Sequence, residues 1–342
     1  MSDAPRPTGP RSIARSVGLG AVAFSATLIL LFGMVSIVGR SAGGAAPTPR
    51  ATGTEPAPSS PSLAIATSSS PASPAPSASG DPVLVGAGDI ADCDLDSGAA
   101  TASLLDTIEG TVFTAGDNAY PNGSSAQFRD CYAPTWGRHL ERTRPAAGNH
   151  DWDTKDLAGY REYFGAAAGA DGASWYSYEL GAWHVIVLDS DCTFVGCLPD
   201  TAQGRWLQAD LDASKATCTL AIWHHPRFSS GEHGNDATVW PFWDALYRAH
   251  ADVVVNGHDH DYERFGPQDP AGREDKAGGV REFVVGTGGA VLRDFPTVAA
   301  HSEVRIANTY GVIKFVLHPT WYEWSFIRTS GEVGDSATGA CH

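Results

Sequence analysis

Basic side chains are scarce in this chain of 342 residues: 23 Lys and Arg stand against 39 Asp and Glu, a formal net charge of −16. That shortage argues against a nucleic-acid-backbone binder, which needs a basic face to release counterions. It argues equally against a polybasic membrane-surface protein. No C-x2-C pair occurs, which disfavours a cysteine zinc site, and no G-x-S-x-G, which disfavours a nucleophilic serine of that type. There is no internal repeat. The acidity is also unevenly placed. Five of the basic and three of the acidic side chains precede residue 83, so the remaining 260 residues carry a net charge of −18.

Charge is absent altogether from residues 17–39, VGLGAVAFSATLILLFGMVSIVG, which follow Arg11 and Arg15 and precede Arg40. As a helix this run reaches about 34 Å, enough for a bilayer core of about 30 Å. The apolar stretch of a cleaved signal peptide is shorter, about 7–15 residues. An uncleaved anchor is therefore preferred over a signal segment, with residues 1–16 cytoplasmic and the rest outside. Residues 40–81 are rich in Pro, Ser, Ala and Thr. With little to bury they are expected to be a disordered spacer.

Residues 82–342 read as one domain. All six cysteines, Cys93, Cys131, Cys192, Cys197, Cys218 and Cys341, lie in it. An even number in an exported region implies disulfides, although 15 pairings are open. Cys192 and Cys197 are near enough to close a short loop, and Cys341 is placed to pin the C-terminus. Short apolar runs predict strands over 83–87, 111–115, 183–188, 219–223, 253–256, 282–285, 312–317 and 322–327. Helices are expected over 97–108, behind a Ser cap, and over 201–213 and 238–249. The first half reads as α/β and the end as strand-rich. Trp223, Trp240 and Trp243 are expected in the core.

Acidic and histidine residues repeatedly follow these apolar runs, mostly behind a glycine: Gly88-Asp89, Gly116-Asp117-Asn118-Ala119-Tyr120, Gly148-Asn149-His150-Asp151, Trp223-His224-His225 and Gly257-His258-Asp259-His260. In α/β sheets ligands bind at the carboxyl ends of strands, where glycine lets the backbone turn sharply. Five strand ends supplying Asp, Asn, Tyr and His are what a metal centre needs. A rival pattern is present as well. Gly86-Ala87-Gly88-Asp89-Ile90-Ala91 fits the G-x-G-x-x-A dinucleotide fingerprint. The acidic group expected about 20 residues on, at the end of the next strand, is out of place, since Glu109 precedes that strand and Asp117 comes late, and the later histidine motifs are left without a purpose.

In order, the five motifs resemble those of calcineurin-like metallophosphoesterases, and specifically purple acid phosphatases. The first superfamily motif usually reads Asp-x-His, but Ala91 stands at the histidine position here. Purple acid phosphatases share that loss and use a tyrosine three residues after the second-motif Asp, where this chain has Tyr120. The resemblance implies a four-layer α/β/β/α sandwich of the compact type. It implies that Asp89, Asp117, Tyr120 and His260 hold Fe(III). Asp117 would then bridge to a divalent Zn, Fe or Mn held also by Asn149, His224 and His258. Hard oxygen donors suit a trivalent ion, while imidazole and amide oxygen suit the divalent one. The implied reaction is hydrolysis of phosphate monoesters of small substrates by a metal-bound hydroxide. Alternatives are a phosphodiesterase or nucleotidase on the same fold, or a non-catalytic cell-surface binding module.

By the same resemblance His150 contacts substrate, and His233, in the loop Ser229-Ser230-Gly231-Glu232-His233-Gly234, protonates the leaving alcohol. His225 departs from the family pattern and either contacts substrate or packs beside Pro226. Asp259 and Asp261 either accept from ligand imidazoles or are solvated, and Asp189 and Asp191 are equally open. The remaining histidines, such as His184 and His318, match no motif and read as structural or surface. Asn122-Gly123-Ser124 is a glycosylation sequon.

Overall fold

A computed structural model describes residues 80–342 apart from Asp171. The expected cytoplasmic tail (1–16), anchor or signal segment (17–39) and all but the last two residues of the spacer (40–81) lie outside the described residues. Among the described residues no helix is long and apolar enough to cross a membrane.

Among the described residues thirteen strands form two sheets. The first comprises β1 (Val83–Ala87), β2 (Thr111–Ala115), β3 (Thr143–Ala146), β11 (Gly311–Leu317), β12 (Trp321–Arg328) and β13 (Val333–Ala340), in the order β13-β12-β11-β1-β2-β3. The second comprises β4 (Tyr176–Leu180), β5 (Trp183–Val187), β6 (Cys218–Ile222), β7 (Val253–Asn256), β8 (Tyr262–Phe265), β9 (Arg281–Val285) and β10 (Ser302–Ile306), in the order β10-β8-β9-β7-β6-β5-β4. The strands β1, β2 and β3 are parallel, as are β5, β6, β7 and β9. The expected mixed α/β arrangement is present.

Side chains alternate across a strand, and the two cores follow that period. Trp183, Val185 and Val187 of β5 join Phe113, Phe315 and Trp324 of the other sheet in one buried cluster. Ile186 and Leu188 point the other way, into a second cluster with Leu207, Phe242, Trp243 and Leu246. Those residues come from helices Ala202–Ala213 and Trp240–Arg248. Thr201 caps the first of these, accepting the amide of Gly204 at 3.2 Å. Helix Ser97–Leu105 ends before Ile108, and Ser97 is not its cap: Asp96 precedes it, and the Ser97 hydroxyl donates to the Gly289 carbonyl. Trp223 and Trp243 are buried as expected, but Trp240 is 43% exposed because it opens its helix.

The six cysteines pair as Cys93–Cys131, Cys192–Cys197 and Cys218–Cys341. The last ties the C-terminus to the start of β6. The dinucleotide fingerprint does not form a phosphate cradle. The amides of Gly88, Asp89, Ile90 and Ala91 are spent on the carbonyls of Val285, Gly116, Asp117 and Asn118. None is left to meet a pyrophosphate.

Candidate metal centre

Each named side chain leaves a strand's carboxyl end: Asp89 after β1, Asp117 after β2, Asn149 after β3, His224 after β6 and His258 after β7. Three of them stand in left-handed backbone, Asp89 at φ 59°, Asp117 at 50° and His258 at 71°. Such conformations cost about 1–3 kcal/mol each and persist where the surroundings over-determine them. Here they turn the side chains inward between the sheets.

Two sets of donor atoms result. In the first, the Tyr120 hydroxyl lies 2.7 Å from Asp89 Oδ1, 3.1 Å from Asp117 Oδ2 and 3.2 Å from His260 Nε2. In the second, His224 Nε2 lies 3.1 Å from Asn149 Oδ1, 3.2 Å from His258 Nδ1 and 3.2 Å from Asp117 Oδ2. One oxygen, Asp117 Oδ2, belongs to both. The other oxygen of each carboxylate is pinned by an amide, Asp89 Oδ2 by His258 and Asp117 Oδ1 by His150, both at 2.8 Å. The tautomers of two imidazoles follow from their outer contacts. His224 Nδ1 donates to the Ala115 carbonyl at 2.8 Å and His260 Nδ1 to that of Val291 at 2.7 Å. A carbonyl can only accept, so in the neutral ring each Nε2 turns a lone pair inward.

The surroundings make this arrangement costly unless positive charge is present. Asp89, Asp117, His224 and His260 are buried. Among the described residues, the ion-pair partners of the two carboxylates are histidines alone. Burial opposes the charge on Asp117, but His224 overrides it and lowers the carboxyl. Burial likewise opposes charge on His224, yet Asp117 and Asp89 lift the imidazole to about 10. Burial and the same two carboxylates drive the Tyr120 phenol well above its ordinary value. Burial and the neighbouring His224 lower His225 to about 4, and His258 is lowered for the same reasons.

The donor sets fit metal ions. Donors about 2.1 Å from one ion stand about 3 Å apart along the edges of its coordination shell. The separations above fall in that range, and every atom in both sets is a type that binds metal once any proton it carries has left.

The other expected residues line the rim. His150 donates Nδ1–H to the Pro121 carbonyl and holds Nε2 3.9 Å from Asp117 Oδ2. His225 binds Ser190 Oγ through Nδ1 at 2.8 Å, and its ring lies 4.4 Å from that of His258. His233 is exposed, with its ring 4.2 Å from His258 on the open side. Asp259 bonds to no imidazole; it accepts from loop residues instead. Asp189, buried, accepts from Trp152, Ser174 and the Asp191 amide. His184 sits between Glu179 and Asp210, away from the cluster.

Sequence reasoning misses one residue here. Arg293 donates to His233 Nε2 at 2.9 Å and pairs with Glu232 at 3.0 Å. The one signal for it is a further glycine-rich strand end, Gly286-Thr287-Gly288-Gly289 after β9, which carries no acid or histidine. Asp191, open to either reading in the sequence, is buried with an Oδ2 that has no partner among the described residues, and burial together with Asp189 pushes it up to about 8.

Known proteins place this site in a family. The sequence profile of the calcineurin-like phosphoesterases matches residues 82–262. Purple acid phosphatase 21 of Arabidopsis thaliana is 28% identical over 244 residues, covering 61% of this chain and 53% of its own length. The structure of purple acid phosphatase PPD1 from yellow lupin (Lupinus luteus) seeds superposes with a TM-score of 0.62 at 20% identity, covering 78% of this chain and 55% of that one. GAP50, the anchor in the inner membrane complex of Plasmodium, superposes at 0.61 with 13% identity, covering 77% and 90%. At these identities the structural likenesses speak to the fold alone, and the chain spans about half the length of the two phosphatases. The profile runs through the strand ends that carry Asp89, Asp117, Asn149, His224, His258 and His260, so this chain belongs to the calcineurin-like phosphoesterase family.

Proposed function

We propose that residues 82–342 form a four-layer α/β/β/α domain that hydrolyses phosphate monoesters at a dinuclear metal centre. The observation that carries this reading is the pair of donor sets sharing Asp117 Oδ2, with donors spaced as the edges of two coordination shells. In this reading Asp89, Asp117, Tyr120 and His260 hold Fe(III), and Asp117, Asn149, His224 and His258 hold a divalent Zn, Fe or Mn ion. Oxygen donors favour the harder ion, and imidazole and amide donors the softer. Two ions held there would neutralise phosphate charge and lower the pKa of a bound water.

The chain's own residues supply the remaining steps. His150, with Nδ1 committed to a carbonyl, turns its other nitrogen towards the phosphate. His225 lines the same rim. His233, with its ring 4.2 Å from that of His258, hands a proton to the departing alkoxide once Arg293, which donates to its Nε2 in this structure, releases that nitrogen. The sequence similarity to purple acid phosphatases supports this choice of chemistry. The three disulfides suit an oxidising compartment, in keeping with a domain held outside the cell by an anchor at residues 17–39.

Phosphate release from p-nitrophenyl phosphate and from its bis-ester tests the reading. The monoester should be cleaved, the bis-ester spared and the Asp117→Ala variant inactive. Cleavage of the bis-ester alone would make the protein a diesterase. Cleavage of neither by metal-loaded protein would favour a binding module.

A further inference from the structure

The loop that carries His233 is fixed from below by three buried carboxylates. Glu282 accepts the amides of Arg227 at 2.8 Å and Phe228 at 3.0 Å. Glu263 accepts the amide and hydroxyl of Ser230, the amide at 2.7 Å. Asp259 accepts the amide of His233 at 2.8 Å through Oδ1 and the hydroxyl of Ser229 through Oδ2. Ser229 Oγ in turn accepts the amide of Gly231 at 2.9 Å. All three carboxylates are fully buried, with relative exposures of 0%. A surface loop usually gives its amides to water and moves. This one gives them to buried carboxyl groups, which do not exchange with solvent as water does.

Asp259 differs from the other two in its place. It stands between His258 and His260, so one three-residue segment offers two donors to the centre and the acceptor for His233. Gly231 lies so close over it that a Cβ there would come within 2.3 Å of Asp259 Cγ. From the other side, Arg293 holds the His233 ring, and the Arg293 amide is bonded to the His260 carbonyl at 3.0 Å.

We propose that Asp259 is a positioning residue: through the His233 amide and the Ser229 hydroxyl it fixes the His233 imidazole over the centre. The proposal rests on the reading of His233 as proton donor to the leaving group. Asparagine in place of Asp259 keeps the shape and an oxygen for the His233 amide, but its nitrogen donates to Ser229 Oγ, so the buried Ser229 hydroxyl proton loses its acceptor. A small shift of a catalytic group costs far more in rate than in stability.

The test uses purified, metal-loaded protein and two monoesters, p-nitrophenyl phosphate, whose leaving group needs no proton, and an alkyl phosphate, whose leaving group does. His233→Ala should lower kcat on the alkyl ester about 100-fold, the usual weight of a general acid, and change the aryl ester little. Asp259→Asn should reproduce that selective loss with unchanged metal content, and the double variant should be no worse than His233→Ala. Ser229→Ala, which removes one strut only, should act in the same direction if Asp259→Asn folds poorly. Amide exchange in metal-free protein gives a second readout: residues 227–233 should lose protection in Asp259→Asn while β7 keeps it. A selective loss in His233→Ala without one in Asp259→Asn overturns the positioning role alone. Equal losses on both esters for Asp259→Asn also overturn it. No selective loss in His233→Ala overturns the proton-donor reading and the proposal with it.

Discussion

Gly148→Ala isolates the close packing on which the centre depends. Gly148 has φ −127° and ψ −179°, extended backbone that any residue adopts, so the substitution adds no dihedral strain. What it adds is a methyl group without space. The new Cβ would lie 2.3 Å from Asp117 Oδ1 and 2.4 Å from the Asp117 amide nitrogen, with His224 Cδ2 at 2.9 Å. A backbone nitrogen cannot rotate away as a flexible side chain can. Either the Asp117 turn or the start of the Asn149–Trp152 helix must move, and both carry donors. Overpacking of this kind costs about 1–3 kcal/mol, a few degrees in melting temperature for a domain of this size. The effect on rate should be much larger, because misplacement by about 1 Å at a reacting centre costs about 100-fold. Phosphatase assay, thermal melt and metal analysis of Gly148→Ala, beside Gly278→Ala as control, measure all three. At Gly278 an added Cβ meets only a side-chain oxygen at 3.4 Å. A folded Gly148→Ala protein with full activity and metal content would refute the reasoning.

Two further outcomes concern stability. The Cys218–Cys341 bridge closes a separation of 123 residues, for which the chain-entropy relation gives about 5 kcal/mol. Replacing both cysteines by alanine should lower the unfolding free energy by about 3–5 kcal/mol in denaturant titration while activity at 25 °C survives; an unchanged midpoint would contradict this. Asp252, beside that bridge, accepts the amides of Thr219 and His342. Burial pushes its carboxyl up to about 7. A folded-state value above the unfolded one means that the folded protein binds the proton more tightly. Its stabilising contribution is therefore full below about pH 4 and is lost as pH rises through about 7. Asp252→Asn should flatten the decline of melting temperature between those limits, and an unaltered slope would rule the titration out.

The strands that position the centre were legible in the sequence because each is a short apolar run ending in a turn. The observed β1, β2 and β7 match the expected spans, β5 and β9 differ by one residue at one end, and β6 is shifted by one residue. Other strands gave no such signal. Thr143–Ala146 is Thr-Arg-Pro-Ala, and Val333–Ala340 is Gly-, Ser- and Ala-rich. The latter finds its place through pairing with β12 and through Asp335, which binds Tyr262, Arg264 and Trp324. Neither local propensity nor period announces that. The same holds at the site. The donors were readable from their position behind strands, but the partners that orient them were not. Asp189 reaches Trp152 across 37 positions and Arg293 reaches His233 across 60. From the sequence Asp259 reads either as an acceptor for its neighbouring imidazoles or as a solvated loop carboxylate, because neighbours are what a sequence displays. Its carboxylate instead turns to a loop 26 positions away.

The central claim is that two ions share Asp117, one of them beside Tyr120. Metal analysis and a visible spectrum of the same purified sample test it most directly. The account predicts two metal ions per chain, one of them iron, and a charge-transfer band that disappears in Tyr120→Phe. One ion or none per chain after metal loading, or a spectrum unchanged by Tyr120→Phe, would contradict it.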